Sequence, residues 1–180
     1  GLRLAAALGS FWETSCTWKE GRQWLQRALA QTEENDAVRG RALVKLGELH
    51  HLLEESALAE QRIREGLALW QALDDRLNIA YTFLQLGKVL STRGAYEEAK
   101  VLLMESLARY RQLEQHWGIA TLLNQLGSIE IQLGNYEHAH QLLDEAWPLV
   151  QAMEQRSTIG VAANLLGRAS GSIIGGVVVE

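Results

Sequence analysis

The side chains best suited to chemistry are few, and their spacing is poor for it. His138 and His140 stand two apart in Tyr136-Glu137-His138-Ala139-His140, and His50 adjoins His51. A metal site needs three or four ligands converging on one point. Residues one or two apart on a helix point to different sides, and neither pair has a third ligand in evident register. Both pairs read as structural or surface histidines. Cys16 is the single cysteine. A reactive thiol needs a base or cation beside it, and none is evident, so Cys16 reads as a small turn or packing residue. Glu54-Glu55, Asp74-Asp75 and Glu97-Glu98 fall at turns or helix starts, where negative charge is favourable near unpaired N–H groups. No GxxxxGK[ST] phosphate loop and no helix-turn-helix signal is present. The reading is of a chain that is not an enzyme, with no cofactor and no metal.

The elements that would position any functional group are written in a repeat. Leu46-Gly47, Leu86-Gly87 and Leu126-Gly127 recur at a step of 40 residues, and Gly9 precedes them at a step two residues shorter. Such self-similarity is the mark of a solenoid built from one supersecondary unit. The repeats span about 1–38, 39–78, 79–118 and 119–158, with a partial copy at 159–168 and a Gly/Val-rich tail at 169–180. Each reads as helix A, a short turn and helix B. In the first, helix A covers about Leu2–Thr14 and the turn is Ser15-Cys16-Thr17. Thr17 is expected to cap helix B with Glu20 as its box partner. The second has helices near Ala37–Leu53 and Ser56–Ala72. Leu133 is expected to face inward in the fourth, and Pro148 to bend its helix B or leave a carbonyl unpaired. Thr32–Asp36 reads as a surface connection. The tail Ser170–Glu180 favours extended or irregular backbone and is a candidate for covering helix A or for joining another molecule.

Glycine inside a helix costs roughly 0.5–1 kcal/mol relative to alanine, so the recurring Gly47, Gly87, Gly127 and Gly167 need a reason. The expected one is close approach of helix A to helix B, opposite Ala59, Ala99 and Ala139. Gly94 and Gly134 follow helix A and suit a left-handed terminus. Glu54 takes that place in the second repeat, where a differently shaped or less favourable turn is expected. The six tryptophans read as core and inter-repeat contacts.

The chain has 180 residues, 47% of them hydrophobic, a single proline and a formal charge of −5. One proline favours uninterrupted helices. The moderate negative charge argues against a general nucleic-acid binder. No apolar run reaches the roughly 20 residues that span a bilayer, and the opening lacks the layout of a cleaved signal. A lone cysteine suits a reducing compartment, so a cytoplasmic location is expected. The chain starts without methionine inside a repeat, and is expected to be a fragment of a larger protein.

Leu46-Gly47 with Ala59, then Leu86-Gly87, Gly94, Tyr96 and Ala99, then Leu126-Gly127, Gly134, Tyr136, Ala139 and Ala146 resemble tetratricopeptide repeats. The resemblance covers about Leu2–Arg168. Cys16, Trp18 and Ser56 depart from the pattern of turn glycine and tyrosine. The 40-residue step and the opening LRLAAALGSFWETSCTWKEGRQWLQRALA look like the variant in large bacterial signalling ATPases and transcriptional regulators. The resemblance implies an all-α, right-handed superhelical solenoid of antiparallel helix pairs, with helix A lining a concave groove. It implies a non-catalytic protein- or peptide-binding module, with structural self-association or small-effector sensing as alternatives.

Carried onto this chain, the groove stripe begins with Arg3, Ala6, Ser10 and Glu13. It continues with Arg41, Val44, Glu48 and His51, then Tyr81, Leu84, Lys88 and Ser91. Thr121, Asn124, Ser128 and Ile131 follow, then Val161, Asn164 and Arg168. The spacing places each set on one helical face. The asparagines suit a peptide backbone, since each amide both donates and accepts. Arg41, Lys88 and Arg168 suit carboxylates. A protein or peptide in the groove is therefore the expected partner, with self-association through the C-terminal repeat and tail as a further expectation. Neither a membrane nor direct contact with nucleic acid is expected.

Overall fold

The computed structural model describes residues 1–31, 36–152 and 156–177, without the side chains of 10, 13, 156–159 and 172–177. All regular structure among the described residues is helical. The helices are α1 (Leu2–Ala7), α2 (Gly9–Thr14), α3 (Trp18–Ala30), α4 (Ala37–Leu52) and α5 (Ser56–Ala72). They continue as α6 (Arg76–Thr92), α7 (Tyr96–Gln112), α8 (His116–Leu133), α9 (Tyr136–Ala152) and α10 (Arg156–Val177). The chain forms two compact units, Gly1–Ala95 and Tyr96–Glu180. In the first, α3 packs on α4, α4 on α5, α5 on α6, and α4 also meets α6. In the second, α7 packs on α8, α8 on α9, α9 on α10, and α8 also meets α10. This is the antiparallel helix-pair architecture of an all-α solenoid.

Apolar side chains at helical spacing explain the packing. Leu25, Leu46, Leu49 and Trp12 share the core of the first unit with Ala5, Ala28 and Ala42. In the second, Ile131, Ala139, Leu143, Leu165 and Ala169 form one core cluster. Ala120, Val150 and Ala162 form another. The glycine explanation holds at Gly47 and Gly127. A Cβ at Gly47 would lie 2.5 Å from Ile63 Cγ1 and 3.0 Å from the Ala59 carbonyl oxygen, and one at Gly127 would lie 2.8 Å from Leu143 Cγ. Gly118 shows the same device outside the expected series, since its Cβ would lie 2.2 Å from the Tyr110 ring. Gly167 departs from the expectation, with nothing within 4 Å of a Cβ built there. The reason is that no second helix follows α10 among the described residues.

Six turns among the described residues share one geometry. The residue after the helix sits left-handed at Gly94 (φ 78°) and Gly134 (φ 80°), and also at Cys16, Glu54, Asp74 and Glu114. The next N–H then reaches back to close the helix, as from Ala95 to the Leu90 carbonyl at 3.0 Å and from Glu55 to that of His50 at 2.9 Å. The Glu54 turn therefore keeps the common shape, with a side chain where glycine is cheaper. Asp36 and Asp75 cap α4 and α6 by accepting from the Arg39 and Asn78 backbone N–H groups.

Other expectations are corrected. The first helix A is two helices, broken at Leu8 (ψ −2°). Gly9 follows the break and lies against the Lys45 stem, where a Cβ would be 2.9 Å from Cδ. Thr17 precedes α3 but does not cap it by its side chain. Its hydroxyl pairs with that of Ser15 at 2.7 Å instead. Leu133 is exposed at the helix terminus. For Pro148 the second of the two expected outcomes is found: it lies inside α9 on its exposed side, where water can reach the carbonyl left without a donor. The stretch expected to be extended is helical through Val177. A helix already formed propagates at one hydrogen bond per residue, and Ala162, Leu165 and Ala169 anchor α10 in the core. The remainder of the tail, and the connection at 32–35, lie outside the described residues.

Ion pairs join successive repeats at one register position. Arg22 Nη1 meets Glu55 Oε1 at 2.6 Å, Glu60 meets Arg93, and Lys100 Nζ meets Glu130 Oε1 at 2.8 Å. The sign alternates along the chain at residues 22, 60 and 100.

Candidate peptide-binding face

In the first compact unit the candidate residues come from adjacent faces of α4 and α6. Helical spacing brings Lys45 and Glu48 to one side of α4, and Tyr81 meets them from α6. Lys45 Nζ donates to Glu48 Oε2 at 2.6 Å and to the Tyr81 hydroxyl at 3.2 Å. The Tyr81 hydroxyl donates to Glu48 Oε1 at 2.6 Å. The Lys45 ammonium also lies 5.6 Å from the Tyr81 ring centroid. Burial first, and then the Glu48 charge, push the Tyr81 pKa far above its ordinary range, so the phenol stays neutral and donating. Glu48 is buried, but its charge is matched. The triad fixes the floor of this face and holds the two helices in register.

Around that floor the sequence-derived residues divide by burial. Val44 and Leu84 are 2% and 0% exposed; they pack between helices and do not meet solvent. Arg41 is exposed, and His51, Tyr81, Lys88 and Ser91 are half-buried. Burial, and next the nearby Lys88 ammonium, lower the His51 pKa. The ring is therefore held neutral, and its Nδ1 is buried without a hydrogen-bond partner. The accessible chemistry is thus two cations, a neutral imidazole, a phenol and a hydroxyl.

In the second compact unit the corresponding face belongs to α8 and α10. Thr121 and Ser128 are half-buried, and the Thr121 hydroxyl donates to the Trp117 carbonyl at 2.9 Å. Ile131 joins the core. Val161, Asn164 and Arg168 are exposed on α10. Asn124 is 5% exposed, and its Oδ1 is buried with no partner. A buried amide oxygen left unpaired costs about 1–3 kcal/mol, and like Val44 and Leu84 it does not meet solvent. In the N-terminal set, Arg3 is exposed and Ala6 buried; the side chains of Ser10 and Glu13 lie outside the described residues.

Lys45 escaped the sequence reading, although its i,i+3 spacing from Glu48 was a usable signal. His50 and Glu55 also pair, Nδ1 to Oε2 at 2.5 Å. The His50 contact, and then Arg22, hold the Glu55 carboxyl below its usual range. His138 and His140 turn apart as expected, toward Glu130 at 3.4 Å and Asp144 at 2.8 Å. Among the described residues no three His, Cys, Asp or Glu side chains are grouped to hold a metal ion. None of the helices among them is long and apolar enough to cross a membrane.

The sequence profile of the tetratricopeptide repeat matches residues 38–112 and again 78–152. The chain belongs to the tetratricopeptide repeat family. The repeat is a non-catalytic scaffold that typically mediates protein–protein or peptide interactions. Similar solved structures agree in fold. Nearly identical TPR-like repeats assigned to a kinesin light chain of Podosopora anserina superpose with a TM-score of 0.75 at 16% identity, covering 95% of this chain and 86% of that one. PilF of Pseudomonas aeruginosa gives 0.70 at 20% identity, covering 95% and 72%. The Rap conjugation gene regulator of plasmid pLS20, in complex with the Phr* peptide, gives 0.70 at 12% identity, covering 92% and 51%. No curated protein matches the sequence significantly.

Proposed function

We propose that this tetratricopeptide repeat chain is a binding module for a carboxylate-bearing peptide segment, which lies against the helix-A faces of α4 and α6 in the first compact unit. The observation that carries this reading is the matched Lys45–Glu48–Tyr81 triad between α4 and α6. It matches the charge of the buried Glu48, and on the same face Arg41 is exposed and Lys88 half-buried. Acidic side chains or a C-terminal carboxylate suit those cations. Because the helices hold these groups before the ligand arrives, less ordering entropy is lost on binding.

The 40-residue step and the opening segment support a place within a larger bacterial regulator, in the cytoplasm. The fold-level likeness to a regulator solved with a peptide is in keeping with that role. A peptide library displayed on phage and selected on the chain tests the reading. Selected peptides are expected to be acidic, and Lys88→Ala to weaken them about tenfold, roughly 1.4 kcal/mol. Arg41→Ala is expected to weaken them less. Selected peptides whose affinities ignore both substitutions would place the site elsewhere.

A further inference from the structure

Within the first compact unit, α3, α4 and α5 line an open cleft of about 350 Å³ at the junction of two successive repeats. Leu29, Leu43 and Leu46 supply its apolar wall, and Gln26, Arg39 and Arg62 its donors. The repeat shows that the arginines are a departure. The 40-residue step aligns Arg39 with Ile79, Ile119 and Ile159, and Arg62 with Leu102 and Leu142. In the second unit the matching pair is therefore aliphatic, with Ile119 buried and Leu142 half-buried. Burying such side chains stabilises a junction, whereas two guanidinium charges lining one cleft repel each other. An anion held between them would offset both losses.

Both forks are fixed before a ligand arrives. Arg39 Nη1 donates from α4 to the Leu29 carbonyl of α3 at 3.2 Å. Arg62 Nη1 donates to Glu65 Oε2 at 2.7 Å, one turn further along α5. Asp36 Oδ1 accepts from the Arg39 backbone N–H at 2.9 Å and so serves as the α4 cap. The geometry of the donors selects the anion. A carboxylate offers its two oxygens to one fork, whereas the oxygens of a phosphate group can accept from two forks on different helices. A cleft of this size also takes a small organic molecule, whose apolar part would lie against Leu29 and Ala30. We propose that this cleft binds a phosphate group, free or as a small-molecule monoester, with Arg39 and Arg62 as its paired donors. The site shares no residue with the α4–α6 peptide face and does not rest on that reading.

Isothermal titration calorimetry of the full chain at constant ionic strength tests this, with inorganic phosphate, phenyl phosphate and acetate as probes. Saturable phosphate binding is expected. Arg39→Ile and Arg62→Leu install the residues of the aligned positions, and each is expected to weaken phosphate about tenfold. Both put an aliphatic side chain where other repeats carry one, so the helices should persist, which circular dichroism checks. Phosphate is also expected to raise the wild-type Tm and to leave that of the double variant unchanged. Phenyl phosphate binding more tightly than phosphate would identify a monoester as the ligand, and binding no more tightly would identify the free ion. Absence of saturable phosphate binding to the wild type would overturn the proposal. So would a phosphate affinity that both substitutions leave unchanged, or acetate bound as tightly as phosphate.

Discussion

At the scale of single residues, glycine and its absence give the sharpest expectations. Glu54 holds a left-handed backbone at φ 62° with its side chain exposed. A non-glycine residue there costs on the order of 1–2 kcal/mol, partly offset by the entropy glycine would lose. Glu54→Gly is expected to stabilise the chain by about 0.5–1 kcal/mol in urea unfolding. Gly134→Ala places a Cβ at φ 80° and is expected to act in the opposite sense. A second contrast concerns space. Gly127→Ala would drive its Cβ to 2.8 Å from Leu143 Cγ, whereas Gly167→Ala would meet nothing within 4 Å. The first is expected to destabilise by about 1–3 kcal/mol. The second is expected to raise helix stability by about 0.5–1 kcal/mol. Equal effects from the two would refute close approach as the reason for the recurring glycine.

At the scale of helices, the ion pairs between successive repeats do more than the helix sequence suggests. Glu130 is 1% exposed. Burial alone would raise its pKa, but Lys100, then the Asn135 amide, then the His138 charge outweigh burial and hold it below 4.5. The Lys100 pKa is raised in turn, chiefly by the Glu130 hydrogen bond. The acid's contribution to stability is therefore full above its unfolded pKa and lost as pH falls through the lower folded value. The lysine's contribution is full below 10.5 and lost as pH rises through its higher folded value. Lys100→Met leaves a buried acid without its main partner, and is expected to destabilise by about 2–4 kcal/mol at pH 7. Pairing it with Glu130→Leu is expected to recover most of that loss. Thermal unfolding from pH 3 to 7 checks the sign: the double variant should lose less stability on acidification than the wild type. Helix position was legible because Leu, Gly and Ala recur at fixed offsets, and α5 and α6 end where their turns were written. The break at Leu8 was not legible, since leucine favours helix and no proline marks the position. Nor was helix through residues 170–177, where packing of the preceding turn outweighs the weak local preference of glycine and β-branched residues.

At the scale of the molecule, the sequence supplied the repeat and hence the architecture, while the face that meets a partner depends on contacts between helices. Periodicity put Val44, Glu48, Leu84 and Asn124 on one stripe, but only packing shows them buried beside the accessible Arg41, Lys88 and Ser91. A one-dimensional pattern fixes angular position around a helix and leaves open which neighbour covers it. The central claim is that a partner's carboxylates meet the α4 and α6 faces. The most direct measurement is a titration of 15N-labelled chain with a selected acidic peptide, followed by amide chemical shifts. The account predicts saturable shifts clustered around Arg41, His51, Tyr81, Lys88 and Ser91, lost in Lys88→Ala. Shifts confined to the outer surface of α5, around Gln61 and Arg64, and unchanged by that substitution, would contradict it.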